Sequence, residues 1–270
     1  MKLEINNAVC GYGSKTIVND FSTTVSSGEI LCLLGPNGVG KTTLFKSILG
    51  FLRLQGGTIL VDGQNVKTLS KQAFAKVLGY VPQAHVPPFP FTVRDVVVMG
   101  RTAYLGAFGA PGRHDFEVAE SCLDSLGVLF LADRVYTELS GGERQMVLIA
   151  RALTQKPSFI MMDEPTSNLD FGNQVRVLRH ITKLAQNGLG IIMTTHFPDH
   201  AFQCHCKVAL MQRDDIFIFG SAEEVITEKN LHDAYGIEVK VMDNHIKNYS
   251  IRSCLPVFEE IDPCPGISAT

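Results

Sequence analysis

Residues 35–42 read Gly35-Pro36-Asn37-Gly38-Val39-Gly40-Lys41-Thr42, a complete G-x-x-x-x-G-K-[ST] loop. The apolar run Ile30-Leu31-Cys32-Leu33-Leu34 precedes it, and a helix-like stretch over residues 43–49 follows. That context demands a strand, a tight turn and a helix in immediate succession. Glycines let the chain turn sharply enough for successive backbone N–H groups to converge on a phosphate, and a helix starting near Lys41 adds its positive dipole end. A triphosphate fits such a nest. Lys41 would reach its β- and γ-phosphates, the Thr42 hydroxyl would ligate Mg²⁺, and Thr43 stands in the same phosphate-facing turn.

The second half of the chain indicates what the energy is used for. Residues 139–145, Leu-Ser-Gly-Gly-Glu-Arg-Gln, run into an amphipathic helical pattern over residues 146–153. Ser140, Gly141 and Gly142 therefore sit at a helix N-terminus, a second place suited to an anion. Phe159-Ile160-Met161-Met162 is a short continuous apolar run ending in Asp163-Glu164-Pro165. Such a run suits a strand buried on both faces of a parallel sheet, with the acids at its carboxyl end. Asp163 is then placed to hold Mg²⁺, and Glu164 to polarise an attacking water. His196 follows another apolar strand, Ile191-Ile192-Met193-Thr194-Thr195, and projects from its carboxyl end. There it orients the γ-phosphate and Glu164.

Taken in order, the phosphate loop, Leu-Ser-Gly-Gly-Glu, Met-Met-Asp-Glu-Pro, Ser167-Asn168-Leu169-Asp170 and His196 resemble the ATP-binding cassette (ABC) family of transport ATPases over roughly residues 1–240. The resemblance implies ATP and Mg²⁺ as cofactors. It implies that Tyr12 stacks on adenine, that Gln83 touches Mg²⁺ and the lytic water while sensing a membrane partner, and that Asp170 runs along a dimer interface. Asp170 could equally start the next helix, and the two roles are compatible. In this family the Ser140 tip serves the nucleotide held by the other subunit. The expected partner is accordingly a second copy, arranged head to tail around two ATP, with a polytopic permease beyond it and a substrate-binding protein engaged indirectly. Glu143 stands where glutamine is commoner, a change the family tolerates.

The architecture expected is α/β: a P-loop NTPase (RecA-like) core, an antiparallel β subdomain and an inserted helical subdomain. Residues 2–27 and 57–66, with an Asp62-Gly63 hairpin signal, supply the antiparallel part. Strands near 29–34, 78–82, 158–163, 189–195 and 207–211 alternate with helices. Residues 88–155 form the helical insert, with Thr92 as a cap and a further helical period over 115–126. Short helices follow at 222–226 and 230–235, and residues 241–270 form a tail without an assigned role.

Composition narrows the setting. With 270 residues, 45% of them hydrophobic, the chain can bury one substantial core, and a net charge of −3 offers no basic field for nucleic acid. No segment reaches the roughly 18 uncharged apolar residues of a membrane span, and the start Met-Lys-Leu-Glu-Ile-Asn-Asn is no signal peptide. A protein peripheral to the cytoplasmic face of the cell membrane is expected. Most of the seven cysteines read as reduced thiols, and Cys204-His205-Cys206 supplies too few ligands for a tetrahedral metal site. Residues 91–101, and residues 223–226 with 230–231, resemble the matching stretches of importers for iron-siderophore complexes, haem, cobalamin and related metal chelates, with core packing of a helix the alternative for Val96-Val97-Val98. Apolar residues around Pro87-Pro88-Phe89-Pro90-Phe91 favour docking to a permease. The alternative is a soluble, non-transport cassette ATPase acting on nucleic acid or ribosomes.

Overall fold

The computed structural model describes residues 1–83, 89–106, 109–246 and 249–257. The chain opens with β1 (Lys2–Tyr12), β2 (Lys15–Ser26), β3 (Ile30–Leu34), α1 (Lys41–Ile48), β4 (Gly56–Val61), β5 (Gln64–Asn65), α2 (Lys71–Val77) and β6 (Leu78–Val81). A helical stretch follows: α3 (Val93–Val98), α4 (Arg113–Ser125) and α5 (Gly141–Leu153). Then come β7 (Phe159–Met162), α6 (Phe171–Gln186), β8 (Gly190–Thr195), α7 (Asp199–Gln203), β9 (Lys207–Met211) and β10 (Phe217–Ser221). Two short helices, α8 (Ala222–Val225) and α9 (Glu228–Tyr235), lead to a terminal hairpin of β11 (Val239–Ile246) and β12 (Tyr249–Pro256).

The central sheet has the order β10-β9-β3-β8-β7-β6, parallel from β9 to β6, with β10 antiparallel on one edge. Both of its faces are covered, which is why its strands read as unbroken apolar runs. Along β3, Leu31 and Leu33 face the antiparallel sheet and α1, while Ile30, Cys32 and Leu34 face the helices on the other side. Phe159 and Met161 of β7 likewise oppose Ile160 and Met162. Each such side chain contributes about 1.5–3 kcal/mol by burial, so packing alone places these strands. The antiparallel sheet, order β2-β1-β4-β5, lies over α1 through Leu3, Ile5, Phe21 and Val25. Its β4–β5 turn uses Asp62 (φ 47°) and Gly63 (φ 80°), the left-handed pair that a two-residue hairpin requires.

The helical stretch after β6 is held together internally by polar contacts and packs on the core through apolar residues. Thr92 caps α3 in a reciprocal box with Asp95. Val96, Val97 and Val98 are buried in the core, so this part of the importer-like stretch packs inward. Gly100 abuts α5 so closely that an added Cβ would lie 2.0 Å from the Arg151 carbonyl oxygen. Beside it Arg101, 5% exposed, donates to Asp115 Oδ1 (2.9 Å) and to the Thr154 carbonyl (2.9 Å). Pro87 and Pro88, expected at a docking patch, lie outside the described residues, as does the end of the tail. Phe89 within that patch is exposed.

β10 and the β11–β12 hairpin have no counterpart in the elements expected from sequence, while α7 fills the helical place between β8 and β9. The hairpin packs Val239, Val241 and Cys254 onto the core, and the Cys254 N–H donates to Asp199 Oδ1 (2.8 Å). Cys204 and Cys206 are buried free thiols on the same core while His205 is exposed, and among the described residues no cluster of three or more metal-ligating side chains occurs.

Candidate active site

Four adjacent parallel strands end at one rim of the central sheet. Across that rim lie the 35–42 loop after β3, His196 after β8, Asp163 and Glu164 after β7, and Gln83 just beyond β6. Residues distant in sequence meet because side chains just past the carboxyl ends of neighbouring parallel strands share one edge.

The loop is held open by its glycines. Gly38 and Gly40 adopt φ of 83° and 108°, and a Cβ on Gly40 would press to 2.6 Å from Val18 of β2. α1 has no side-chain cap, and its first carbonyl-bonded amide is Leu44 N–H, to Gly40 O at 2.9 Å. The N–H groups of Lys41, Thr42 and Thr43 are thus the free donors of a helix start. Thr42 is exposed and Thr43 buried. Lys41 is 6% exposed, and its Nζ donates to the carbonyls of Gly35 (2.6 Å) and Pro36 (2.8 Å). Burial lowers the Lys41 pKa, opposed by the charges of Glu164 and Asp163. Tyr12, half exposed, ends β1 and pairs with Lys15 at the tip of the hairpin whose other strand touches Gly40.

The acids are positioned by Thr194, a residue not singled out from sequence. Its hydroxyl donates to Asp163 Oδ1 (2.8 Å) and accepts the Glu164 N–H (2.8 Å). Glu164 adopts φ 44°, a left-handed conformation that is uncommon outside glycine. Gln83 Nε2 donates to Glu164 Oε2 (2.9 Å), and His196 Nδ1 lies 3.5 Å from Glu164 Oε1. That nitrogen is buried and makes no hydrogen bond among the described residues. Desolvation pushes the Asp163 pKa up, with the Thr194 hydroxyl opposing and Glu164 reinforcing the rise.

Ser140, Gly141 and Gly142 are not brought to this rim by any described hydrogen bond. Ser140 caps α5, its Oγ accepting the Glu143 N–H (3.3 Å) while Glu143 Oε2 accepts the Ser140 N–H (2.9 Å). The Ser140 N–H and the Ser140 hydroxyl, both donating to the carboxylate, hold Glu143 below its usual pKa. This box was not singled out from sequence, although the pattern [ST]-x-x-[DE] before a helix is the signal that could have found it. Gly142 is packed against Asn173 so closely that a Cβ would lie 2.5 Å from its Cγ. Asn173 in turn donates its backbone N–H and its side-chain amide to the two carboxylate oxygens of Asp170, the cap of α6. Asp170 therefore starts a helix, and the Ser140 tip lies beside that start.

A parallel sheet with a phosphate loop after its central strand, and a carboxylate pair after the next strand but one, defines the P-loop class of nucleotide hydrolases. The chain belongs to the ABC transporter family, whose model matches residues 18–167, and it is an ATPase of that family. It is 40% identical to an ABC transporter ATP-binding protein of Haemophilus influenzae over 94% of this chain and 96% of that one. A molybdate import ATP-binding protein of the same organism is 34% identical over 88% of each chain. An iron(3+)-hydroxamate import ATP-binding protein of Bacillus subtilis is 31% identical over 86% of this chain and 87% of that one. Among solved structures, an inward-facing ABC transporter of metal-chelate type superposes with a TM-score of 0.85 at 33% identity, covering 95% of this chain and 98% of that one.

Proposed function

We propose that this chain is the motor subunit of an importer for a metal chelate such as an iron-siderophore complex, haem or cobalamin. The observation that carries it is the placement of Glu164 between Gln83 and His196, on the rim that also carries Lys41 and Thr42. A relative named for iron(3+)-hydroxamate import and a solved transporter of metal-chelate type support this cargo class.

In this reading the loop amides and Lys41 grip the β- and γ-phosphates, Lys41 exchanging two backbone carbonyls for phosphate oxygens. Glu164 polarises the attacking water, His196 orients the γ-phosphate, and Gln83 holds the carboxylate in place. Tyr12 faces adenine. The oxygen donors of Thr42, Asp163 and Gln83 suit Mg²⁺, and Asp163 keeps one carboxylate oxygen free of hydrogen bonds among the described residues. Mg²⁺ would neutralise phosphate charge as the bond to the γ-phosphoryl group breaks. The Ser140 tip with Gly141, Gly142 and Asp170 serves the nucleotide of a second copy. Residues 1–240 form the ATPase domain, with the helical insert at 88–155 meeting the permease at the cytoplasmic face of the membrane. No described helix is long and apolar enough to cross a membrane, in keeping with a separate permease subunit.

Glu164→Gln should retain ATP binding and lower turnover by at least about 100-fold, read by steady-state phosphate release. Unchanged turnover would remove Glu164 from this role. Purification from membranes tests the partner: a co-eluting polytopic protein is expected, and a ribosome or DNA fragment in its place would overturn the importer reading.

A further inference from the structure

We propose that His200 is a positioning residue, locking the Glu164 loop to the His196 loop so that base and phosphate sensor keep their spacing. The inference rests on the roles given above to Glu164 and His196.

His200 lies on α7 and is 6% exposed. Its Nδ1 is 3.0 Å from Thr195 Oγ1 and 3.5 Å from Thr166 Oγ1. Thr195 directly precedes His196, and Thr166 stands two residues after Glu164; both are 2% exposed. One ring nitrogen therefore joins the end of β8 to the loop that leaves β7. Thr195 Oγ1 also accepts the Phe197 N–H (3.1 Å), closing a tight bracket around His196. Phe197 lies between the two imidazoles, its ring centroid 4.1 Å from that of His196 and 5.1 Å from that of His200.

Burial, reinforced by the neighbouring His196, brings the His200 pKa down to about 4. The ring is neutral in ordinary conditions, and Nδ1 can accept the Thr195 hydroxyl while the threonine oxygen still accepts from Phe197. Removing the imidazole would leave buried hydroxyls short of a partner, so the loops would re-sort their bonds and shift relative to each other. The terminal hairpin holds this device from behind, since Asp199, the neighbour of His200, accepts the Cys254 N–H. His200 itself reaches no reacting atom, so its effect should appear in the rate of the chemical step and not in nucleotide affinity.

The test is steady-state ATP hydrolysis by the full chain as wild type, His200→Leu, His200→Asn and Thr195→Val, with thermal midpoints measured alongside. His200→Leu should lower kcat by about 10- to 100-fold, the range typical of losing an outer partner that orients a functional group. KM for ATP should stay within about threefold. His200→Asn, whose amide oxygen can stand in for Nδ1, should recover most of the rate. Thr195→Val should repeat the kcat loss, keeping the idea testable if the leucine variant folds poorly. Wild-type turnover by His200→Leu, an asparagine variant no better than leucine, or kcat, KM and midpoint falling together would overturn the proposal. Glu164→Gln run in parallel separates the two levels: if it turns over normally, the underlying roles fail, whereas if it is inactive while His200→Leu is fully active, this inference alone fails.

Discussion

Thr194 uses a single hydroxyl to hold the Asp163 carboxylate and the Glu164 amide. That bond sustains a left-handed glutamate, a conformation that needs outside support. Thr194→Val keeps the shape, deletes the donor to Asp163 and orphans the Glu164 N–H. The expected cost is about 1–3 kcal/mol of stability, read by urea unfolding, together with a fall in turnover. His200 gives the pH dependence. Its pKa is about 4 in the folded chain against the usual value near 6.5 for a free histidine. Between these values the unfolded chain binds more protons, so stability rises with pH there, and acidification from about 6.5 to 4 removes on the order of 3 kcal/mol. Below about 4 both states are protonated and the slope from this residue vanishes. As pH is lowered from 7 to 4, urea midpoints should fall less steeply for His200→Asn than for wild type.

Among the elements, those buried on both sides were legible because burial leaves no polar alternation, so β3, β7, β8 and β9 stood out as apolar runs, the first three with functional residues at their ends. The Asp62-Gly63 turn and the Thr92 cap were legible from local chemistry alone. Thr194 was not, because its role depends on β8 lying beside β7 in one register, with Met162 opposite Met193. The hairpin was not legible either: its strands mix Val239 and Val241 with an Asp243–Arg252 ion pair, and tertiary contacts to α7 and α9 place it. Caps are the features of this scale most open to test. Asp170→Ala should lower stability by about 1 kcal/mol, whereas Asp170→Ser should keep the cap and most of that stability. If the serine variant is as stable as wild type and yet associates weakly with ATP present, Asp170 also acts between subunits.

At the scale of the whole molecule, the rim of the sheet and the Ser140 tip belong to separate parts of one chain, and in the proposed function the tip completes the site of a second copy. Glu164→Gln should sediment as a dimer with ATP and as a monomer without it; a monomer in both conditions would count against the shared site. The order of strands carries a further consequence. β6 is the edge strand and the last to precede the helical insert, whereas Lys41 starts its helix beyond β3, two strands further in than β7. A tug on the insert would therefore reach Gln83 first and strip its amide from Glu164, leaving the grip on the phosphates untouched. With the roles proposed for Lys41 and Gln83, such a layout would let a membrane neighbour throttle the motor while its fuel stays loaded.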